Sequence, residues 1–397
     1  MVIKRAGARP GCVEKRAVSA IKDNYQLHAA PGDIRQKSFE PRQSLIMQVI
    51  DDAIRESLFP GCALAIGGRA NLDLAFGRFT YAPWASRVAT DTVYDLASLT
   101  KPLATTIAIF VLISKGEIYL DSTLDEIFAS VPGDKAHITI RMLLSHSSGL
   151  PAWRPYFDEL IKMPFGKRKK ALLGMILSEP LKMEPAELYS DLGFMLLGLV
   201  VEHLTDMRLD EAVSRLVFEP LGVKYLWVMK GRERSDILSF IPPTGYCELR
   251  QKMVWGEVND QNAWALGGSA GHAGLFGTAG SVRDMLVRLL AVYNGELSVP
   301  GLARDLICEA FKPQASCGTW GLGFDTPSSH GSTSGRFFSN NSVGHLGFTG
   351  TSFWMDLDDG IIAVFLSNRT FPYHTTGKQE RMKRFRARLH DAIRISI

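Results

Sequence analysis

The 397-residue chain has only five cysteines: Cys12, Cys62, Cys247, Cys308 and Cys317. They are scattered, odd in number and never spaced as C-x-x-C. That argues against a disulfide framework or a thiolate zinc site, and for free thiols in a reducing compartment. The nine histidines fall into no H-E-x-x-H or other ligand spacing, so neither a metal nor another cofactor is expected. No apolar stretch approaches the ~20 residues of a membrane span. The N-terminal MVIKRAGARPGCVEKRAVSA is basic but lacks an apolar core of signal-peptide length, which makes a cytoplasmic protein the expectation. Charge of one sign is also scarce. The net charge is +4, and the densest basic run, GKRKK at 166–170, reads as a solvated helix face, so no nucleic-acid partner is expected. There are no internal repeats and no low-complexity segment.

What is present is the composition of a soluble globular protein, 46% hydrophobic and 22% charged, long enough for two domains or for one large domain with an insertion. Residues 1–42 are polar and dotted with Pro and Gly, an N-terminal extension. SLIMQVIDDAIRESL from residue 44 is an amphipathic helix, and CALAIGG and LDLAFGRF form a hairpin around GRAN. TIRMLLSH, KRKKALLGMILSE, LGFMLLGLVVEHL and LDEAVSRLVF carry helical periodicity. Strands return at WGLGFD, SVGHLGF and TSFWMDL-DDG-IIAVFLSNR, where DDG signals a hairpin. QERMKRFRARLHDAIRI closes the chain as a helix. The pattern predicts an α/β fold of the α+β type, an antiparallel sheet flanked by helices. Residues 43–119 and 256–397 form the α/β domain, and 120–255 an inserted all-helical domain.

The segment DLASLTKPLATTIAIFVLISKGE places a serine and a lysine at the start of a helix that is apolar nearly all round. Residues i and i+3 share a helix face, so Lys101 lies beside Ser98, one turn deeper. Cations are disfavoured at a helix N-terminus, and a lysine leading a buried helix has poor access to water. Such a lysine has a function that needs it: burial would lower its pKa towards that of a base for a Ser98 nucleophile. Gly267-Gly268-Ser269-Ala270-Gly271 is a rival, because it matches the nucleophile elbow G-x-S-x-G. That motif requires a strand before the serine and a helix after it. Here NDQNAWAL precedes and GHAGLFGTAG follows, so Ser269 reads better as part of a close-packed backbone loop. A serine–lysine pair also needs a proton route and an oxyanion hole. ELYSDLGFMLLG offers Tyr189 and Asp191 just before an apolar helix, and SVGHLGFTGTSFW offers a strand with close backbone approach at Gly347 and Gly350.

Three elements in order, S-L-T-K at 98–101, Y-S-D at 189–191 and H-L-G at 345–347, resemble those of the serine β-lactamase and penicillin-binding-protein superfamily. LLSHSSGLP at 143–151, GGSAGHAGLFGTA at 267–279 and GHLGFTGTSFW at 344–354 extend the likeness over about residues 45 to 390. It is strongest to the branch of class C β-lactamases, D-alanyl-D-alanine carboxypeptidases and family VIII esterases. The resemblance implies a β-lactamase/transpeptidase-like fold and a serine hydrolase acting through an acyl-enzyme on a small ester or amide. Catalytic roles would fall to Ser98, Lys101 and Tyr189, with the acylation base open between the last two. The N–H groups of Ser98 and Phe348 would hold the oxyanion, with Gly347, Asp191 and His345 around the substrate. His146 and His272 read as loop-holding residues.

Asp191 stands where that pattern has asparagine, and His345 where it has lysine. A carboxylate can only accept hydrogen bonds, and imidazole carries less reliable charge than ammonium. Both departures favour a carboxylesterase over a strong β-lactamase, with a D-alanyl-D-alanine carboxypeptidase or a weak class C-like β-lactamase as alternatives. Members of this superfamily often act outside the cytoplasm, against the location expected from the N-terminus. A non-catalytic binding protein on the same fold has no reason to keep Ser98, Lys101 and Tyr189 together.

Overall fold

The computed structural model describes residues 40–182, 187–227, 238–316 and 318–397. Cys12, Cys317 and the first 39 residues of the N-terminal extension lie outside the described residues. A five-stranded antiparallel sheet, in the order β2-β1-β10-β9-β8, draws strands from both ends of the chain. Its members are β1 (Gly61–Gly68), β2 (Leu72–Gly77), β8 (Ser342–Leu346), β9 (Ser352–Asp356) and β10 (Ile361–Ser367). The DDG sequence forms the turn between β9 and β10, with Gly360 in the left-handed region at φ 66°.

Alternate side chains of the central strands bury against opposite layers, as the two-residue period of a strand requires. Leu64, Ile66, Ala363 and Phe365 meet the terminal helices α1 (Glu40–Arg55) and, at the C-terminus, Thr376–Ser396. Helix α1 offers Ile46, Val49, Ile50 and Ala53, one apolar stripe at helical spacing. Ala63, Ala65, Ile362 and Val364 face the other way, into a second and larger core. The helix Ala279–Asn294 packs on this face, started by a capping box at Thr278 and Ser281 and ended by Gly295 at φ 78°.

The serine-bearing segment lies in the larger core. A short 3₁₀ turn (Ala97–Leu99), a π-helical turn (Lys101–Thr106) and α2 (Ile107–Ser114) run on as one rod. The 18 residues Ala97–Ser114 are apolar enough to cross a membrane by composition, but 83% of that window is buried inside the protein. Every residue from Leu99 to Leu112 is buried, so this rod is the core helix around which α3 (Asp191–Thr205) and its neighbours pack.

Two expectations need correction. The region 120–255 is not all helical, because it contains β4 (Leu226–Trp227) and a hairpin of β5 (Gly245–Cys247) and β6 (Lys252–Val254). Strand β4 pairs with β7 (Leu275–Gly277), which also pairs with β3 (Tyr94–Asp95) just before Ser98. Strands of two or three residues are too short to show an alternating pattern. WGLGFD is not a strand either. Trp320 and Asp325 bridge each other across a tight loop in which Gly323 has φ 78°, and Asp325 bridges on to Gly344 of β8.

Candidate active site

Ser98 follows Ala97, a non-glycine residue held in the left-handed region at φ 48°. Strain of that kind persists only where the surroundings over-determine it, and here they do. The Asp95 carboxylate accepts the Ala97 N–H at 2.9 Å and the Asn259 N–H at 2.6 Å. Burial pushes that carboxyl up to about 6, despite both bonds. The Thr349 and Thr351 hydroxyls donate to the carbonyls of Asp95 at 2.8 Å and Leu96 at 3.0 Å. The turn that presents Ser98 is thereby fastened to the turn between β8 and β9.

Lys101 is fully buried. Its Nζ donates to Ser98 Oγ at 3.1 Å, to Asp191 Oδ1 at 2.7 Å and to the His272 carbonyl at 3.3 Å. The Lys101 ammonium also lies 4.8 Å from the Tyr189 ring centroid, and Tyr189 interacts with both Ser98 and Lys101. Ser98, Lys101, Tyr189 and Asp191 thus form one contact group drawn from two helix starts 90 residues apart in sequence.

The electrostatics of this group differ from the expectation. Burial does pull the Lys101 pKa down, but the Asp191 carboxylate and Tyr189 push it up by more, so it lies above its ordinary value. Lys101 is therefore an ammonium at rest, not a free base. The same imbalance holds Tyr189 as a neutral phenol: burial raises its pKa, Lys101 lowers it, and Asp191 raises it again.

His146 fixes the tyrosine. Its Nδ1 accepts the Ser190 N–H at 3.0 Å and its carbonyl accepts the Leu188 N–H at 2.9 Å, so both neighbours of Tyr189 are pinned. The ring stands 4.6 Å from the Tyr189 ring and 4.5 Å from Trp320, and burial drives its pKa well below the ordinary value. His272 Nε2 lies 2.9 Å from Asp260 Oδ1, an oxygen that also caps the helix Gln261–Ala265 through the Ala263 N–H at 2.7 Å. Both histidines hold loops.

Ser269 is buried in the glycine loop behind His272 and is not among the residues that line the cavity above Ser98. That loop presses on α3 so closely that a Cβ at Gly271 would lie 2.0 Å from the Phe194 carbonyl.

The cavity has a volume of about 1030 Å³, and Ser98, Tyr189, Asp191, His345 and Phe348 all line it. Among the described residues the N–H groups of Ser98 and Phe348 meet no backbone acceptor, which leaves both donors open to a ligand oxygen. Gly347 has to be glycine, since a Cβ there would lie 1.9 Å from Thr351 Oγ1 and 2.8 Å from the Leu96 carbonyl. His345 is 1% exposed, and burial and Lys101 hold its pKa down at about 3. It is neutral at physiological pH, with Nδ1 2.9 Å from the Leu346 carbonyl and Nε2 unpartnered. It therefore cannot supply the positive charge that lysine gives the resembled pattern.

Sequence reasoning missed Asp260, Trp320, Arg369 and Arg386, all on the cavity wall, and Asp95, which holds the serine turn from behind. SNR at 367–369 and KRFRARLH at 383–390 give no local sign that Arg369 and Arg386 turn inward. Among the described residues, no group of three or more His, Cys, Asp or Glu side chains is arranged to hold a metal ion.

Residues 48–384 match the family model described as Beta-lactamase. A putative D-alanyl-D-alanine carboxypeptidase of Salmonella typhi is 31% identical over 314 residues, 71% of each protein. Among solved structures, EstCE1, a hydrolase with promiscuous acyltransferase activity, superposes with TM-score 0.68 at 20% identity, covering 90% of this chain and 99% of that one. A class C beta lactamase from Rhodobacter sphaeroides gives TM-score 0.66 at 17% identity, covering 88% and 99%. At those identities the two structures speak for the fold alone. The family match over most of the chain, with a serine and a lysine in contact at the foot of the cavity, shows that this chain belongs to the beta-lactamase family of serine hydrolases.

Proposed function

We propose that the protein is a carboxylesterase acting on small esters through an acyl-enzyme on Ser98. The observation that carries this reading is the Asp191 carboxylate on Lys101 at 2.7 Å, beside Ser98 and on the cavity wall. Ser98 Oγ attacks the ester carbonyl, and the Ser98 and Phe348 N–H groups receive the oxyanion. Lys101 is already protonated, so the base is the phenolate form of Tyr189, which the resting phenol reaches by giving its proton to water and which the adjacent ammonium stabilises; it takes the Ser98 proton. Tyr189 then returns the proton to the departing alkoxide as the ester C–O bond breaks. Water attacks the acyl-enzyme by the same route in reverse, releasing the acid and restoring Ser98.

Asp191 and His345 together set the substrate class. A β-lactam or peptide substrate carries an amide oxygen beside the scissile bond that calls for a donor, and Asp191 offers only an acceptor. An unmet buried polar group costs about 1–3 kcal/mol, whereas a simple acyl ester has no such oxygen. Neutral His345 gives a substrate carboxylate no charge to pair with. The expected result is a kcat/KM for p-nitrophenyl acetate far above that for a chromogenic cephalosporin. Asp191→Asn should raise the cephalosporin-to-ester ratio, by about two- to twelvefold if half of that cost is relieved. Efficient cephalosporin turnover by the wild type, or a lower ratio in Asp191→Asn, would refute the reading.

A second reading, a D-alanyl-D-alanine carboxypeptidase, is supported by the description of the Salmonella relative. Release of D-alanine from a peptide ending in D-Ala-D-Ala, faster than ester turnover, would favour it.

A further inference from the structure

The turn Gly347–Thr351 carries the Phe348 N–H, and two arginines reach its carbonyls. The Gly347 carbonyl accepts the Gly350 N–H at 3.1 Å and Arg386 Nη2 at 3.2 Å. The same Arg386 nitrogen donates to the Thr351 carbonyl at 2.7 Å. Arg369 Nη2 donates to the Phe348 carbonyl, and its guanidinium carbon lies 5.3 Å from the Phe348 ring centroid.

Arg386 is 5% exposed and Arg369 3%. Arginines this deeply buried are ordinarily paired with a carboxylate, because an unpaired buried cation is costly. Among the described residues neither guanidinium has such a partner. Burial lowers their pKa values to about 10 for Arg369 and, with repulsion from Arg369, about 9 for Arg386, which leaves both cationic at neutral pH. Two unneutralised charges are thus directed at the carbonyls on either side of one residue.

The Gly347 carbonyl and the Phe348 N–H belong to a single peptide group. A cation on the oxygen draws electron density from the nitrogen and makes the N–H a stronger donor, since linked hydrogen bonds polarise one another. Both contacts also hold that peptide plane in place before substrate arrives, which is what a preorganised oxyanion site requires.

We propose that Arg386, assisted by Arg369, is a positioning residue of the oxyanion hole, acting through the peptide groups on either side of Phe348. The proposal rests on the Ser98 acyl-enzyme reading. Neither arginine need touch the substrate.

The test compares Arg386→Met, Arg386→Lys, Arg369→Met and Ser98→Ala with the wild type. Substrates are p-nitrophenyl acetate and its thionoester, whose larger sulfur fits an oxyanion hole poorly. Active sites are counted with a fluorophosphonate. Removing a direct oxyanion donor costs about 10²–10³ in kcat, so a residue acting through that donor should cost about tenfold. Arg386→Met should show that drop per titrated site with KM unchanged, and should lose more on the oxygen ester than on the thionoester. Arg386→Lys should recover part of it, and Arg369→Met should show a smaller change in the same direction. If Arg386→Met does not fold, the other two arginine variants carry the same comparison. An unchanged oxo-to-thiono ratio with full kcat per titrated site overturns the proposal, as does a loss confined to the number of active sites. If Ser98→Ala keeps its turnover, the serine reading falls and the clamp with it. If Ser98→Ala is dead and the ratio does not move, the clamp alone falls.

Discussion

On the wall of the cavity built from residues 98–101 and 189–191, the buried cation Lys101 meets a carboxylate at 2.7 Å. On the wall built from the 347–351 turn, the buried cations Arg369 and Arg386 donate, among the described residues, to carbonyl oxygens and to no carboxylate. The first arrangement fixes a proton, because the ion pair keeps Lys101 charged, and on the proposed mechanism Tyr189 is the group that exchanges one. The second leaves positive charge unneutralised, so its field reaches the place where negative charge would develop. Burying a cation thus has two outcomes in this one cavity, decided by whether an acid or a peptide oxygen faces it.

Breaking the first wall at its nucleophile should have the largest effect. Ser98→Ala is expected to lower ester turnover by about 10⁴-fold or more and to abolish fluorophosphonate labelling. Ser269→Ala should keep the label. Intact-mass analysis decides the matter, and a label that depends on Ser269 would move the chemistry to the glycine loop.

Next comes Tyr189→Phe, which keeps the ring against His146 and Trp320 and deletes only the hydroxyl. Loss of a general acid–base typically costs about 10²–10⁴ in rate. A folded variant with near-wild-type kcat would show that the hydroxyl carries no proton and would return that role to Lys101.

The smallest of these effects sharpens the comparison. Asp191 raises the pKa of both Lys101 and Tyr189. Its neutralisation in Asp191→Asn lowers both, so whichever group must lose a proton does so at lower pH. The acid limb of the kcat/KM profile for p-nitrophenyl acetate should therefore move to lower pH. A shift to higher pH, or none, would mean that the carboxylate does not control the proton of this wall.

The long elements of the fold were legible in the sequence. SLIMQVIDDAIR and LGFMLLGLVVEHL carry the helical period over three turns or more, and the strands of IIAVFLS and SFWMD flank a DDG turn. The hairpin 245–254 was not legible, because three-residue strands show no period. WGLGFD misled because its apolar residues fill a loop held by glycines. Within the site, Ser98 and Lys101 were found by their i, i+3 spacing, which is local information. The direction of the Lys101 pKa was not, since it depends on a contact with a residue 90 positions away. Arg369 and Arg386 were invisible for a related reason: Arg386 sits in a run with the exposed Lys383, Arg384 and Arg388, Arg369 follows a strand with no charged neighbour in sequence, and only packing shows that both turn inward.

Thr349 and Thr351 reach back 254 and 255 residues to hold the carbonyls of Asp95 and Leu96. For protein engineering this sets the boundaries of any loop exchange. A graft that replaces 347–351 and loses either threonine leaves a buried carbonyl unpaired and frees the strained turn at Ala97, so nucleophile and oxyanion site would drift apart. Among the described residues the hairpin 245–254 makes no direct hydrogen bond to the serine turn, although Gly245, Tyr246, Cys247 and Glu248 line the same cavity. Its tip is where substrate preference can be rewritten while the distance from Ser98 to the oxyanion site stays fixed.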